Sequence, residues 1–248
     1  MSVLRLTVAT AAAGTSLDGG AVRAGIAALA DRGPAVGAVL LVGEGPNFCT
    51  GGDITSFAAA GDRHAAVHAM ARELHDLVRA LVTAPVPVVA AVHGWAAGAG
   101  MSLACAADIV VGGPSTRFRP AYASIGFSPD GGMSWTLPRA IGAARARDLV
   151  LTDGVLTGEE AYRAGLLSRL VPDEQVREEA ERVAEGLSRG PRASLARTKR
   201  LLWEGHDRGL AAQLDAEADA VADSADGPEG REGVAAFTER RAPRWPAQ

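Results

Sequence analysis

The 248-residue sequence predicts an α/β chain in which strands come first and helices last. Three observations carry that expectation. Residues 3–9 alternate apolar and polar side chains, the two-residue period of a strand with one face on a core. Residues 36–42 and 86–92 are short, nearly unbroken apolar runs, as in strands covered on both faces. From residue 157 onward the apolar spacing is helical almost throughout.

The elements follow in order. Asp18 stands where a helix N-cap belongs, and small and aliphatic residues recur at helical spacing from there to Asp31, before Gly33-Pro34 stops the run. After the first apolar run comes Gly43-Glu44-Gly45-Pro46-Asn47-Phe48-Cys49-Thr50-Gly51-Gly52-Asp53-Ile54. It is too rich in glycine for a regular element and too apolar in places for a free loop, so a structured loop is expected. Residues 63–83 have helical periodicity. The second apolar run leads into Gly94-Trp95-Ala96-Ala97-Gly98-Ala99-Gly100, a strand–glycine–helix junction. Short strands are expected at 108–112 and 116–118, then a turn at Ser128-Pro129-Asp130-Gly131-Gly132 and helices through residue 151. Helical pieces near 159–164, 173–189, 193–203, 211–223 and 231–240 complete the chain. One domain with a trailing helical part accounts for this length.

Composition narrows the function classes. With 48% hydrophobic and 22% charged residues the chain can bury a substantial core. A formal net charge of −4 supplies no basic field for nucleic acid or anionic lipid. Cys49 and Cys105 are the two cysteines, and neither belongs to a C-x-x-C pair or stands at metal-ligand spacing from a histidine, which points to a reduced compartment. The N-terminus has no uninterrupted apolar stretch behind a basic head, so a cytoplasmic location is expected, without a membrane span.

Two glycine-rich turns after buried strands can each leave backbone N–H groups aimed at a ligand, because glycine tolerates unusual dihedrals and admits close approach. If they converge, the amides near Gly52 and Ala99 form an oxyanion hole, to which the helix beginning near Gly98 adds its positive end. Taken singly, each is equally a tight packing turn.

The pair Phe48-Cys49-Thr50-Gly51-Gly52-Asp53-Ile54 and Pro87-Val88-Val89-Ala90-Ala91-Val92-His93-Gly94-Trp95-Ala96-Ala97-Gly98-Ala99-Gly100 resembles the oxyanion motifs of the crotonase, or enoyl-CoA hydratase/isomerase, superfamily. The similarity continues through Leu137-Pro138-Arg139-Ala140-Ile141-Gly142, Leu156-Thr157-Gly158-Glu159-Glu160-Ala161 and Arg231-Glu232-Gly233-Val234-Ala235-Ala236-Phe237, so nearly the whole chain is covered. The resemblance implies an α/β crotonase (ClpP-like) spiral of ββα units over residues 1–190 and a helical C-terminal trimerisation region over 191–248, assembling as a homotrimer or dimer of trimers. It also implies an acyl-CoA thioester as substrate. The thioester oxygen would lie between the Gly52 and Ala99 amides, lined by Thr50, Gly51, Asp53, Ile54 and Gly98.

The family's hydratases use two glutamates, at positions that here read Ser102 and Tyr122. A hydroxyl is too weak a base near neutral pH to replace a carboxylate, which disfavours hydration. Asp130 remains. Pro129-Asp130-Gly131 is a turn-forming sequence, but in branches resembling 1,2-epoxyphenylacetyl-CoA isomerase and Δ3,Δ2-enoyl-CoA isomerases an aspartate at the matching position moves the proton. One carboxylate suffices for an allylic shift, taking a proton from the carbon beside the thioester and returning it two carbons away. Tyr122 and His75 are expected as pocket residues, and no metal or redox cofactor is needed, coenzyme A being part of the substrate.

Alternatives stand beside this isomerase. One is a hydratase in name or with weak activity. Another is a hydrolase resembling 4-chlorobenzoyl-CoA dehalogenase, using Asp130 and His75, although aromatic residues make up only 4% of the chain. A third is a non-catalytic CoA-binding relative. His64 and His68 share a helix face without a third ligand nearby and read as solvated surface. Cys49 is either reactive or a small buried hydrophobe. Where relatives carry a basic turn after the first strand, this chain has Thr10-Ala11-Ala12-Ala13-Gly14-Thr15; Arg240 and Arg241 are candidates to hold the nucleotide instead, or an ordinary charged helix end. The acyl pocket depends on a loop at 56–63 that pattern alone does not place.

Overall fold

In the computed structural model, which describes residues 2–55 and 61–245, β1 (Ser2–Ala9) buries Leu6 and Val8 on one face and turns Arg5 toward solvent. Asp18 caps α1 (Gly19–Ala30), its extended backbone letting the carboxylate accept the Ala21 N–H; such a cap contributes about 1 kcal/mol. β2 (Val36–Gly43) shows why an unbroken apolar run predicts a doubly covered strand. Val39 and Leu41 enter one core cluster while Ala38, Leu40 and Val42 enter the other, because successive side chains point to opposite faces.

Two sheets organise the chain. The larger is entirely parallel and runs β1-β2-β3-β5-β8, where β3 is Val88–Val92, β5 Ile109–Gly112 and β8 Arg169–Leu170. The smaller holds β4 (Trp95–Ala97), β6 (Arg117–Arg119) and β7 (Leu156–Thr157), with β4 parallel to β6 and β7 antiparallel to it. Two turns of the winding each give one strand to the large sheet, one to the small sheet and then a helix, whereas β1 passes directly to α1. β3 and β4 lead to α3 (Ala99–Cys105), and β5 and β6 lead to α4 (Met133–Ile141). An isolated parallel bridge between Cys49 and Ala96 makes the glycine loop after β2 part of the same spiral. This is the expected α/β spiral of ββα units.

Helices cover both faces of the large sheet. α2 (Arg63–Thr83) and α1 place Leu74, Leu77, Leu81 and Leu29 on one side. On the other, α7 (Val176–Ser188) places Val176, Ala180, Val183 and Ala184. α5 (Ala143–Leu151) and α6 (Gly158–Ala164) lie between α4 and β8 in the chain. The Thr157 and Glu160 capping box starts α6. The C-terminal part consists of α8 (Arg192–Glu204), α9 (Leu210–Asp226) and α10 (Pro228–Thr238).

The strand expected at 86–92 begins only at Val88, since Pro87 brings no N–H to the ladder and the Val86 carbonyl accepts from Lys199 Nζ at 3.2 Å. The helix expected at 173–189 opens with a 3-10 turn, Asp173–Gln175, before α7. No helix among the described residues is long and apolar enough to cross a membrane.

Candidate active site

The first glycine loop lies along β4. Phe48 N–H donates to the His93 carbonyl at 2.8 Å, Cys49 N–H to Trp95 at 3.1 Å, and Ala97 N–H back to Cys49 at 2.9 Å. Both chains then turn at glycines in the left-handed region, Gly51 at φ +103° and Gly98 at φ +53°. The turns touch. A Cβ on Gly98 would lie 3.5 Å from Gly51 Cα, and one on Gly51 would lie 3.7 Å from the Ala99 nitrogen. Gly52 and Ala99 follow these turns directly, beside that one contact. Ala99 is also the first residue of α3, so its N–H has no carbonyl of the preceding turn to bond. Behind them Gly100 packs so closely that a Cβ there would sit 2.1 Å from the Cys49 carbonyl oxygen.

The segment that lacks the early basic turn supports this loop from outside. Thr50 N–H donates to the Thr15 carbonyl at 2.7 Å, the two threonine hydroxyls lie 2.9 Å apart, and Leu17 N–H donates to the Gly51 carbonyl at 2.7 Å. Asp53 accepts the Thr55 N–H at 2.9 Å and its hydroxyl at 2.5 Å, closing a turn beside the exposed Ile54. Of the acyl-loop residues expected at 56–63, residues 56–60 lie outside the described ones.

A second group forms around Asp130. Tyr122, itself buried, donates its hydroxyl to Asp130 Oδ1 at 2.6 Å. Ser102 lies one turn into α3, with its N–H on the Gly98 carbonyl at 3.1 Å, and its hydroxyl donates to the Asp130 carbonyl at 2.9 Å. The same hydroxyl lies 3.4 Å from the Tyr122 oxygen. Ser102 thereby joins the Gly98 turn to the Asp130 turn. His75 on α2 approaches from the other side: its Nε2 accepts the Gly131 N–H at 3.1 Å and lies 3.9 Å from Asp130 Oδ2. Gly131, at φ +61°, is required here. A Cβ would come within 2.7 Å of Ser102 Cβ and 3.1 Å of Leu74 Cδ2.

Electrostatics assign roles within the group. Burial, with the neighbouring Asp130 charge, pushes the Tyr122 phenol up, so it stays a protonated donor at neutral pH. The Asp130 side chain is 30% exposed, which leaves it reachable. Burial also pushes the Cys49 thiol up to about 11, and the small-hydrophobe reading of that residue follows. His64 and His68 stack on the exposed start of α2, and no group of three metal-binding side chains occurs among the described residues. Arg241 forks onto Glu232 at 2.6 and 3.0 Å and reaches Glu239 at 2.6 Å, the arrangement of a charged helix end.

The structure therefore gathers Thr50, Gly51, Gly52, Gly98 and Ala99 at one contact and His75, Tyr122 and Asp130 at another, with Ser102 bonded into both. The contacts of Ser102 and Gly131 were not legible in the sequence, where 28 residues separate Ser102 from Asp130. A cavity of about 420 Å³ lies elsewhere, lined by Trp135, Trp203 and Leu195 among others. Its Asp108 and Lys199 are already paired to each other, so the site is recognised by its chemistry and not by volume.

A sequence model of the family described as Enoyl-CoA hydratase/isomerase matches residues 16–248. The chain is 40% identical over 208 residues to a Rhodobacter capsulatus protein named probable enoyl-CoA hydratase, covering 84% of this chain and 80% of that protein. It is 35% identical over 217 residues to the 1,2-epoxyphenylacetyl-CoA isomerase of Escherichia coli, covering 87% and 83%. Among solved structures, an enoyl-CoA hydratase from Polaromonas sp. JS666 superposes with a TM-score of 0.93 at 34% identity, covering 98% of this chain and 96% of that one.

Proposed function

Because the chain belongs to the enoyl-CoA hydratase/isomerase (crotonase) family, we propose that it isomerises an acyl-CoA thioester, with Asp130 as its single acid/base. The Gly52 and Ala99 amides accept the charge that develops on the thioester oxygen. Asp130 removes a proton from the carbon beside the thioester, the electrons move through the allylic system onto that oxygen, and the same proton returns two carbons away. Nothing is oxidised or reduced, and coenzyme A takes part only as the substrate's carrier. Each preorganised oxyanion donor contributes about 3 kcal/mol to such a transition state.

One observation carries the preference for isomerisation. Ser102 and Tyr122 stand where the family's hydratases have carboxylates, and both hydroxyls are spent on Asp130, one on its carbonyl and one on Oδ1. Two carboxylates that flank a water are replaced by two hydroxyl donors, one on the Asp130 carboxylate and one on its main-chain carbonyl. The dehalogenase-like use of His75 as a base fits less well, because the nitrogen nearest Asp130 already accepts the Gly131 N–H.

The proposal extends to the assembly. We assign residues 191–248 to trimerisation, with the exposed Leu210, Leu214, Val221, Val234 and Phe237 of α9 and α10 as its apolar surface. A cytoplasmic acyl-CoA enzyme of this kind needs no nucleic-acid or membrane partner.

The test is turnover of a thioester panel holding 3-enoyl, 2-enoyl, epoxyphenylacetyl and 4-chlorobenzoyl CoA. The expected products come from a bond shift or ring rearrangement, and Asp130→Asn lowers kcat by roughly two to four orders of magnitude while CoA-thioester binding persists. Efficient hydration of the 2-enoyl substrate, or an Asn variant that still turns over, would overturn it.

A further inference from the structure

Asp153 lies in the turn after α5, well outside the group described above, yet three of its contacts bracket Tyr122. Its Oδ1 accepts the Ala121 N–H at 2.7 Å, its Oδ2 accepts from the Arg119 guanidinium at 2.6 Å, and the Ser124 side chain hydrogen-bonds to it as well. The Asp153 side chain is only 11% exposed. Both partners in the Ala121 bond have left-handed backbones without being glycine, Ala121 at φ +59° and Asp153 at φ +52°. Such a conformation persists in an alanine only where surrounding bonds over-determine it. The clamped segment also reaches the other half of the site, since the Arg119 carbonyl accepts the Gly98 N–H at 3.1 Å.

We propose that Asp153 is a positioning residue: its carboxylate fixes residues 119–124 so that the Tyr122 hydroxyl meets Asp130 Oδ1. This rests on the assignment of Asp130 as acid/base. A residue that merely ends a helix needs the left-handed backbone and nothing more, and glycine supplies that at no cost. A residue that positions Tyr122 needs both carboxylate oxygens.

Asp153→Gly separates the two roles, because it keeps the turn and deletes the clamp. The expected result is a kcat lowered about ten- to a hundredfold, with KM within about threefold of wild type and a melting temperature lowered by a few degrees, since the Ala121 N–H and the Arg119 guanidinium lose their acceptor. In a Tyr122→Phe background the same substitution costs less than about threefold more, since the hydroxyl it positions is gone. Asp153→Asn tolerates the turn and keeps one oxygen for Ala121. It gives an intermediate loss and serves for the test if the glycine variant does not fold.

A second measurement is independent of turnover. The chain has two tyrosines, Tyr122 and Tyr162, and Tyr162 is half exposed on α6. In a Tyr162→Phe protein labelled at the phenol carbon, one NMR resonance reports Tyr122. It moves on Asp130→Asn and moves likewise on Asp153→Gly. A resonance that Asp153→Gly leaves in place, or a loss of activity undiminished in the Tyr122→Phe background, overturns the positioning role. Full turnover by Asp130→Asn, with the resonance still responding to Asp153→Gly, overturns the assignment of Asp130 and leaves the clamp standing.

Discussion

At the scale of the residue, His75 is decided by which of its nitrogens is occupied. Nε2 accepts the Gly131 N–H at 3.1 Å, so that nitrogen carries a lone pair and the ring proton belongs on Nδ1. The same nitrogen cannot then donate to Asp130 Oδ2, 3.9 Å away. The ring acts as an acceptor that holds the Asp130–Gly131 turn. Glutamine has an acceptor oxygen at about the reach of Nε2 and no basicity, whereas leucine leaves the Gly131 amide without a partner at a cost of about 1–3 kcal/mol. Steady-state kinetics should show His75→Gln within roughly threefold of wild type, and His75→Leu with kcat reduced roughly tenfold or more. Equal, severe losses in both would restore the base role that the dehalogenase-like alternative assigns to this histidine.

At the scale of the element, α3 is seven residues long and every one of them is buried, so its place is set by contacts more than by its own helical preference. Gly100 is the tightest of these contacts. An alanine there would drive its Cβ to 2.1 Å from the Cys49 carbonyl oxygen and push the helix start away from the first glycine loop. Gly100→Ala should lower kcat by about two orders of magnitude through loss of the paired amides, and destabilise by about 1–3 kcal/mol through overpacking. Gly33→Ala, where nothing lies within 4 Å, should do neither. Activity and melting temperature measured together on both variants decide this. The strands with long apolar runs and the helices with clean periodicity were legible in the sequence, Asp18 as a cap included. β4, β7 and β8 were not, because the two residues of β7 and of β8 carry no period and β4 sits inside a glycine-rich stretch. The oxyanion motifs and Asp130 stood out in the sequence by resemblance. Ser102 and Asp153 gained their roles only through partners 28 to 34 residues distant, which no local pattern records.

At the scale of the whole molecule, the C-terminal helices are joined to the spiral by a buried cation. Lys199 on α8 is 6% exposed and donates from Nζ to the Leu81 and Val86 carbonyls at 2.8 and 3.2 Å. It also pairs with Asp108 Oδ2 at 2.9 Å. Burial lowers the Lys199 pKa, and the Asp108 carboxylate works against that shift. Asp108 also accepts the Val88 N–H at 2.7 Å and the Trp203 Nε1–H at 2.8 Å, so α2, β3 and α8 meet at one ion pair. Lys199→Met keeps the length of the side chain and its apolar stem but strands two carbonyls and a carboxylate in low dielectric. Breaking one side of such a pair costs about 3–5 kcal/mol. Replacing an exposed partner such as Arg163, paired with Glu159 across one helical turn, should cost under about 0.5 kcal/mol. Urea unfolding of the two variants should show that contrast. A Lys199→Met protein within about 1 kcal/mol of wild type would mean that water reaches Asp108 and that α8 is held to the core without this ion pair.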